Sequence, residues 1–433
     1  MKIRIRKRPQ IKWLTLYIFA LPFAFFVLMD LLHFPSLVKY TIDVAWVLLF
    51  MILLLNRISF EEVQTAKVVR VIAVFLLVTI VGFVLEYQSI LYYLWGLRNN
   101  MRFFVFFIAC VLVFDHDDAD SCMGLMDKLF GINFIATLYQ YFGMNISGDF
   151  LGGIFGVEKG CNAYTNIFLA IIAAWHILRY MSREEQMKEC IVYCMLSLLI
   201  AALAELKMFF IEFAVIVVLA SLLTRFSVRK VWIFFGAALC LFIGIKIVEI
   251  VFPEFANWFT LGSIYETAVS VKGYTYRNDM NRLTAISISW NDFLNTWPRK
   301  LFGLGLGNCD YASGFDFLTT PFYRKNRLLH YTWFSSAFMI LETGLIGLLV
   351  YGYFFVRVFM ASHAVEKRGV PRGIYCQMAM IMSVMSLILI IYNSSMRMEC
   401  AYMVYFVLAM PFMKETKEDK KNLSTTFSKE AQS

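Results

Sequence analysis

Long apolar runs, broken by short polar or charged stretches, recur along the whole chain. A helix needs roughly 20 apolar residues to cross a bilayer, and fewer where the protein thins the lipid. On that basis the pattern predicts about twelve spans, near 11–32, 38–55, 68–85, 101–114, 125–142, 164–180, 190–204, 207–224, 231–252, 331–358, 374–392 and 398–413. The fourth is short and follows SILYYLWGLRNN, an amphipathic stretch expected to lie along the interface. Between the ninth and tenth spans runs a long segment, 253–330. Inside it, NDMNRLTAISISWNDFLNTWP reads as one amphipathic helix. Leu283, Ile286, Trp290, Phe293 and Trp297 form its apolar stripe, and Pro298 ends it. Arg282, Ala285, Ser289, Asp292, Thr296 and Arg299 make a neighbouring stripe. Spacing alone leaves two readings of Arg282, held towards a cavity or merely solvating the helix.

Composition sharpens the class. Of 433 residues, 60% are hydrophobic and only 16% charged, too apolar for a soluble domain of that size. The expected fold is an all-α polytopic membrane protein. Short cytoplasmic loops should be rich in Lys and Arg. With the amino terminus inside, that side receives KIRIRKR, Arg57 with Lys67, Arg183 with Lys188, Arg225 with Arg229 and Lys230, and Lys367 with Arg368 and Arg372. Residues 1–252 then hold helices 1–9, 253–330 form the large external loop, 331–413 hold helices 10–12, and 414–433 are a cytoplasmic tail. The net charge of +9 follows from topology and attraction to anionic head groups, not from nucleic acid. The basic start followed by LTLYIFALPFAFFVLMD is read as a retained span, since no small-x-small cleavage site follows it. The acidic DHDDAD at 115–120 is read as a solvated turn. Nine cysteines and five histidines show no metal-like spacing. No repeat relates the two halves, whereas many secondary transporters are built from such repeats.

Candidate chemistry gathers in and around the long loop. LFGLGLGN carries Gly303, Gly305 and Gly307 after a helix and a proline, not between a strand and a helix, so a nucleotide cradle is excluded and a close-packing turn expected. Further on, His330 opens a span, with Arg324, Lys325 and Arg327 just before it and Glu342 about three turns deeper. A histidine there suits a general base or a polar anchor.

Taken together, Arg282 in NRLTAISISW, LFGLGLGN, His330 in LLHYTWF and LETGLIGLL, with Glu342 and Gly344, resemble the bacterial O-antigen polymerase and O-antigen ligase superfamily. Weaker matches lie upstream. GGIFGVEKGCNAYTNIFLA is similar to the family's Gly-x-Phe-Gly followed by an asparagine, with Asn162 or Asn166 as counterpart. AELKMFFIE, with Glu205 and Lys207, resembles an acidic and basic pair of the polymerase branch, or is a simple neutralised turn. GLRNNMRFF brings Arg98 and Arg102 to a place where the family puts external basic residues.

The resemblance implies a GT-C-like glycosyltransferase in the bacterial cytoplasmic membrane, both termini inside and the site facing outside. A growing glycan on undecaprenyl diphosphate would pass to a hydroxyl of an incoming lipid-linked repeat unit, with inversion and without metal or cofactor. Such an enzyme works on undecaprenyl-diphosphate-linked oligosaccharides among membrane lipids, beside a chain-length regulator and a flippase. A lipid diphosphate leaving group calls for fixed cations, and arginine binds phosphate in a bidentate way. Arg282 is expected first, supported by Arg277, Arg98 and Arg102. His330 is the expected base and Glu205 the runner-up. A ligase acting on a lipid core or protein, a lipid-glycan flippase, and a non-catalytic envelope component are the competing readings.

Overall fold

A computed structural model of the protein describes residues 9–55, 62–224, 228–251, 279–312, 314–368 and 373–416. Helices dominate, and among the described residues there is no named strand, only an isolated bridge between Asp115 and Lys414. The longer helices are α1 (Pro9–Ala20), α2 (Thr41–Leu55), α3 (Val63–Leu85), α4 (Ile90–Val113), α5 (His116–Leu138) and α6 (Asn162–Met181). They continue with α7 (Met187–Leu203), α8 (Lys207–Leu223), α9 (Val228–Val251), α10 (Ser335–Glu366), α11 (Gly373–Tyr392) and α12 (Ala401–Ala409). Five described helices are long and apolar enough to cross a membrane, namely Ser36–Leu55, α3, α4, α10 and α11. The protein is an all-α, membrane-embedded bundle.

The sequence of α3 shows why. Thr65, Val68, Val71, Phe75, Val78 and Gly82 recur every three or four residues and face the bundle, while Val74, Leu77, Ile80 and Val84 stay open. In a bilayer an apolar outer face is as much at home as an apolar inner one, so both faces are hydrophobic and only the inner one is packed. By contrast α12 and the middle of α6 are buried on every side, as expected of helices apolar all round at the centre of a large core.

Three expectations are corrected. SILYYLWGLRNN is not an interfacial segment; it is the first half of α4, which runs unbroken to Val113. DHDDAD is no solvated turn: Asp115 and Asp118 form a reciprocal capping box that starts α5, and Lys12 pairs with Asp118 at 2.5 Å. The connection between α5 and α6 is packed in as well, with 151–156 buried. Gln140 clamps the Gly153 backbone at both ends (2.8 and 2.7 Å), and Asn133 accepts from Ile154 N–H at 3.0 Å. Finally, 279–298 is not one helix. A turn at Ala285–Ile288 widens into Ser289–Phe293, the chain leaves helical geometry at Leu294, and Pro298 opens a new helix, Trp297–Phe302, instead of ending one. Proline at a first helical turn is favourable because its missing N–H has no partner to lose. Within this arm Asn281, Ala285, Ser289 and Leu294 face inwards, and Leu283 and Trp297 of the apolar stripe are 52% and 71% exposed.

The helix α10 is broken at Gly344, whose φ of 66° and ψ of −170° are not helical. The break releases two carbonyls, and the glycine-rich turn takes both: Leu304 N–H donates to Leu341 O (2.8 Å) and Gly305 N–H to Glu342 O (3.1 Å). The Glu342 carboxylate reaches on to Cys309 N–H at 3.1 Å. Contact this close needs bare backbone. A Cβ on Gly303 would strike the Glu342 backbone, one on Gly344 the Leu301 backbone, and one on Gly307 the Tyr92 carbonyl of α4. On the far side Gln88 donates to Leu306 O at 2.5 Å, and Arg299 holds Glu86 through two bonds of 2.9 and 2.8 Å. The turn is thus a wedge fixed between α3, α4 and α10, not a hinge.

Gly307→Ala, at φ 85° and against a carbonyl, should cost the backbone strain of about 1–3 kcal/mol plus the overlap. A thermal unfolding midpoint in detergent should fall clearly. Gly131→Ala, where an added Cβ meets nothing within 4 Å, should leave that midpoint unchanged or slightly raised.

Candidate functional site

The loop arms fold onto the start of α10 and form a small apolar cluster of their own, with Met280, Ala285, Cys309, Tyr331, Phe334, Phe338 and Leu341. Met280 N–H donates to Leu329 O at 3.0 Å. That bond ties the arm carrying Arg282 to the segment carrying His330. The Arg282 guanidinium lies over the Tyr392 ring at 4.5 Å and towards Phe334 at 6.0 Å. Lys207, at the first residue of α8, interacts electrostatically with Glu205, Arg282 and Asp149. Glu205 stands in the left-handed region, φ 54°, and its carboxylate lies against Gly148. Lys207 is thus within electrostatic reach of Arg282 and of two carboxylates, from three separate parts of the chain, at one end of the bundle.

His330 also adopts a left-handed conformation, φ 54° and ψ 25°, between two single turns. Its ring stacks on Trp333 with centroids 4.0 Å apart and planes 14° apart. Lys159 sits above the same indole at 5.5 Å. The left-handed backbone turns the imidazole out of the line of α10 and onto Trp333. Stacking fixes the orientation of the ring, as a positioned catalytic group requires.

Arg98 and Arg102, read from sequence as companions of Arg282, are otherwise engaged. Arg98 grips Asp43 of α2, with Nε to Oδ1 at 2.8 Å and a second bond to Oδ2. Arg102 donates to Glu399 Oε1 and to the Arg397 carbonyl, both at 2.8 Å, and its side chain is 4% exposed. Tyr164 completes the Glu399 contacts at 2.5 Å. A second strand of the network joins Asn99 of α4 to Asp310 at 2.5 Å and Asp310 to Arg397 at 3.7 Å. These groups pin α2, α4, α6, the 303–320 loop and the 393–400 turn together beneath Arg282 and His330. Arg277 lies outside the described residues. Asn162 donates to Asp149 at 3.1 Å, so it supports the charged cluster through its carboxylate, while Asn166 donates to the buried Glu212 at 2.8 Å.

Sequence reasoning missed Asp43, Asp310, Arg397, Glu399, Lys159 and Trp333. One signal pointed to Glu399: a buried arginine inside a span, as Arg102 is, requires a named partner, and Glu399 stands in an otherwise apolar stretch. Among the described residues no three His, Cys, Asp or Glu side chains gather as a metal site. No protein-family model matches the sequence, and no curated protein matches it.

Arg102→Ala strips a buried carboxylate of its counter-ion and should destabilise by about 3–5 kcal/mol, read as a lowered unfolding midpoint. Arg102→Ala with Glu399→Ala should recover part of that loss.

Proposed function

We infer that the protein is a polysaccharide repeat-unit polymerase of the O-antigen polymerase and ligase type. It transfers a growing glycan from undecaprenyl diphosphate to a hydroxyl of an incoming lipid-linked unit, with a GT-C-like bundle of about twelve spans and its site on the outer face. The observation that supports this reading is that Lys207 feels the charges of Arg282, Glu205 and Asp149 at the end of the bundle where the Met280 bond to Leu329 O ties the Arg282 arm to the His330 segment. Lipid diphosphate needs cations at the membrane surface, an attacking hydroxyl needs a base, and both lie at that one end.

In the proposed step the hydroxyl oxygen attacks the anomeric carbon as its bond to the diphosphate oxygen breaks. The proton passes to His330, and the bonding pair leaves with the diphosphate, whose charge Arg282 and Lys207 stabilise. Attack opposite the leaving group inverts the anomeric configuration. Glu205 and Asp149 favour the charged form of Lys207, the Tyr392 ring positions Arg282, and the Arg102 to Glu399 network stiffens the bundle beside them.

Purified protein given one defined lipid-diphosphate-linked repeat unit should produce a ladder of longer glycans. His330→Ala should slow the ladder by roughly 10²-fold or more, and Arg282→Ala should abolish it, both with folded protein at native yield. A ladder that persists at full rate in either variant removes that residue from the mechanism; no ladder from native protein overturns the reading.

A further inference from the structure

The connection between α5 and α6 comes up at the end of the bundle that carries His330. Its middle, 151–156, is buried, and its last residues are tied back to an earlier one. Gly160 N–H donates to Asp149 O at 2.8 Å, and Asn162 donates to the Asp149 carboxylate at 3.1 Å. Lys159 stands exposed at the tip of this turn, just before Gly160 at φ 88°. Its ammonium lies over the Trp333 ring at 5.5 Å, and the His330 ring stacks on the same indole. Arg282 lies towards the ring of the next residue, Phe334, at 6.0 Å. Consecutive Cα atoms are about 3.8 Å apart, so Lys159 and Arg282 approach neighbouring rings of one short segment. The same connection carries Asp149, whose charge reaches Lys207. Contacts thus run from Lys207 through Asp149 to Lys159, on to Trp333 and Phe334, and back to Arg282, which Lys207 also feels.

Resting on the polymerase reading, we propose that Lys159 is a third cation of the site, binding the diphosphate of the lipid-linked donor and meeting the charge that develops as the glycan leaves. The charge balance calls for it. Arg282 and Lys207 are matched in number by Glu205 and Asp149, so those four groups are neutral as a whole. When the bond between the anomeric carbon and the diphosphate oxygen breaks, the bonding pair stays on that oxygen. The diphosphate therefore departs with one more negative charge than it brought. The acceptor's proton goes to His330 on the attacking side, across the sugar from the leaving oxygen. What the leaving side lacks is a cation with no carboxylate of its own. Lys159 meets that need. Its neighbour Glu158 is taken by Lys39 at 2.5 Å, and the Asp149 carboxylate accepts from Asn162. Among the described residues Lys159 makes no ion pair, and it rests on the face of Trp333. Cation–π attraction holds an ammonium in place without using up its N–H donors, which stay open to phosphoryl oxygens.

The test titrates the full-length protein in detergent with undecaprenyl diphosphate, and in a second arm with a lipid-free repeat-unit oligosaccharide. Lys159→Gln should weaken binding of the diphosphate by about tenfold or more, the loss of one charged hydrogen-bond donor, and leave binding of the oligosaccharide as it was. Lys159→Arg, which keeps the charge, should stay within about threefold of native. The unfolding midpoint should not move in either variant, since Lys159 holds no ion pair. Lys188→Gln, at the opposite end where α7 begins, should bind the diphosphate as the native protein does. In the ladder assay Lys159→Gln should lower kcat more than it raises KM, the mark of a contact strongest in the transition state. Native protein that fails to bind undecaprenyl diphosphate, unchanged affinity for it in Lys159→Gln, a loss confined to the oligosaccharide arm, or a raised KM at native kcat overturns the proposal. The two readings fail separately. Native protein that binds the diphosphate through Lys159 and builds no ladder sinks the polymerase reading alone; a full ladder with native affinity in Lys159→Gln sinks the role of Lys159 alone.

Discussion

A helix that breaks inside a bundle frees backbone carbonyls where water cannot reach them, and each must find a donor. At Gly344 the donors come from the glycine-rich turn, through Leu304 and Gly305. This exchange of backbone bonds sets everything above it. It fixes where 301–309 runs, hence where Cys309 and Asp310 stand, and hence which side chains of α4 and the 393–400 turn can meet them. Glycine occupies 303 and 344 because the two backbones lie at touching distance there, while a side chain at 307 would strike the Tyr92 carbonyl of α4 and one at 305 the Gln88 side chain.

Charge is handled by the same economy of space. Arg98, Arg102 and Arg397 sit where a lone cation would be costly, and Asp43, Glu399 and Asp310 stand beside them. Because the partners come from different helices, the pairs select one arrangement of α2, α4 and the loops over others that would bury as much apolar surface. Arg282 and Lys207 belong to a different setting, with Glu205 and Asp149 at the bundle end. The division is between cations that hold the frame and cations placed at its rim.

The hydrophobic pattern reveals the helical bundle, since a bilayer demands apolar runs and the runs are plain. What it conceals is any feature decided by a distant residue. The polar half of α4 looked interfacial because Arg98 and Asn99 are met by Asp43 and Asp310, 55 and 211 positions away. Pro298 reads from sequence as a helix end for a local reason: the same ring ends one helix or begins the next, and only packing shows that here it begins one. The capping box of Asp115 and Asp118, however, is a spacing that sequence alone carries. At the candidate site, Arg282, His330 and Glu205 were legible as residue types in place, whereas the floor beneath them was not, because Asp310, Arg397 and Glu399 acquire meaning only through contacts across the bundle.

The break at Gly344 also divides the packing of α10. Above it, α10 packs into the small cluster of Met280, Tyr331 and Phe338; below it, into the main core with Tyr351, Phe354 and Phe355. The two halves are not separate, since Met339 above the break belongs to the main core and Ser335 is bonded to the Asn393 carbonyl at the end of α11. A displacement of the upper half is therefore carried round through α11 as well as straight down α10.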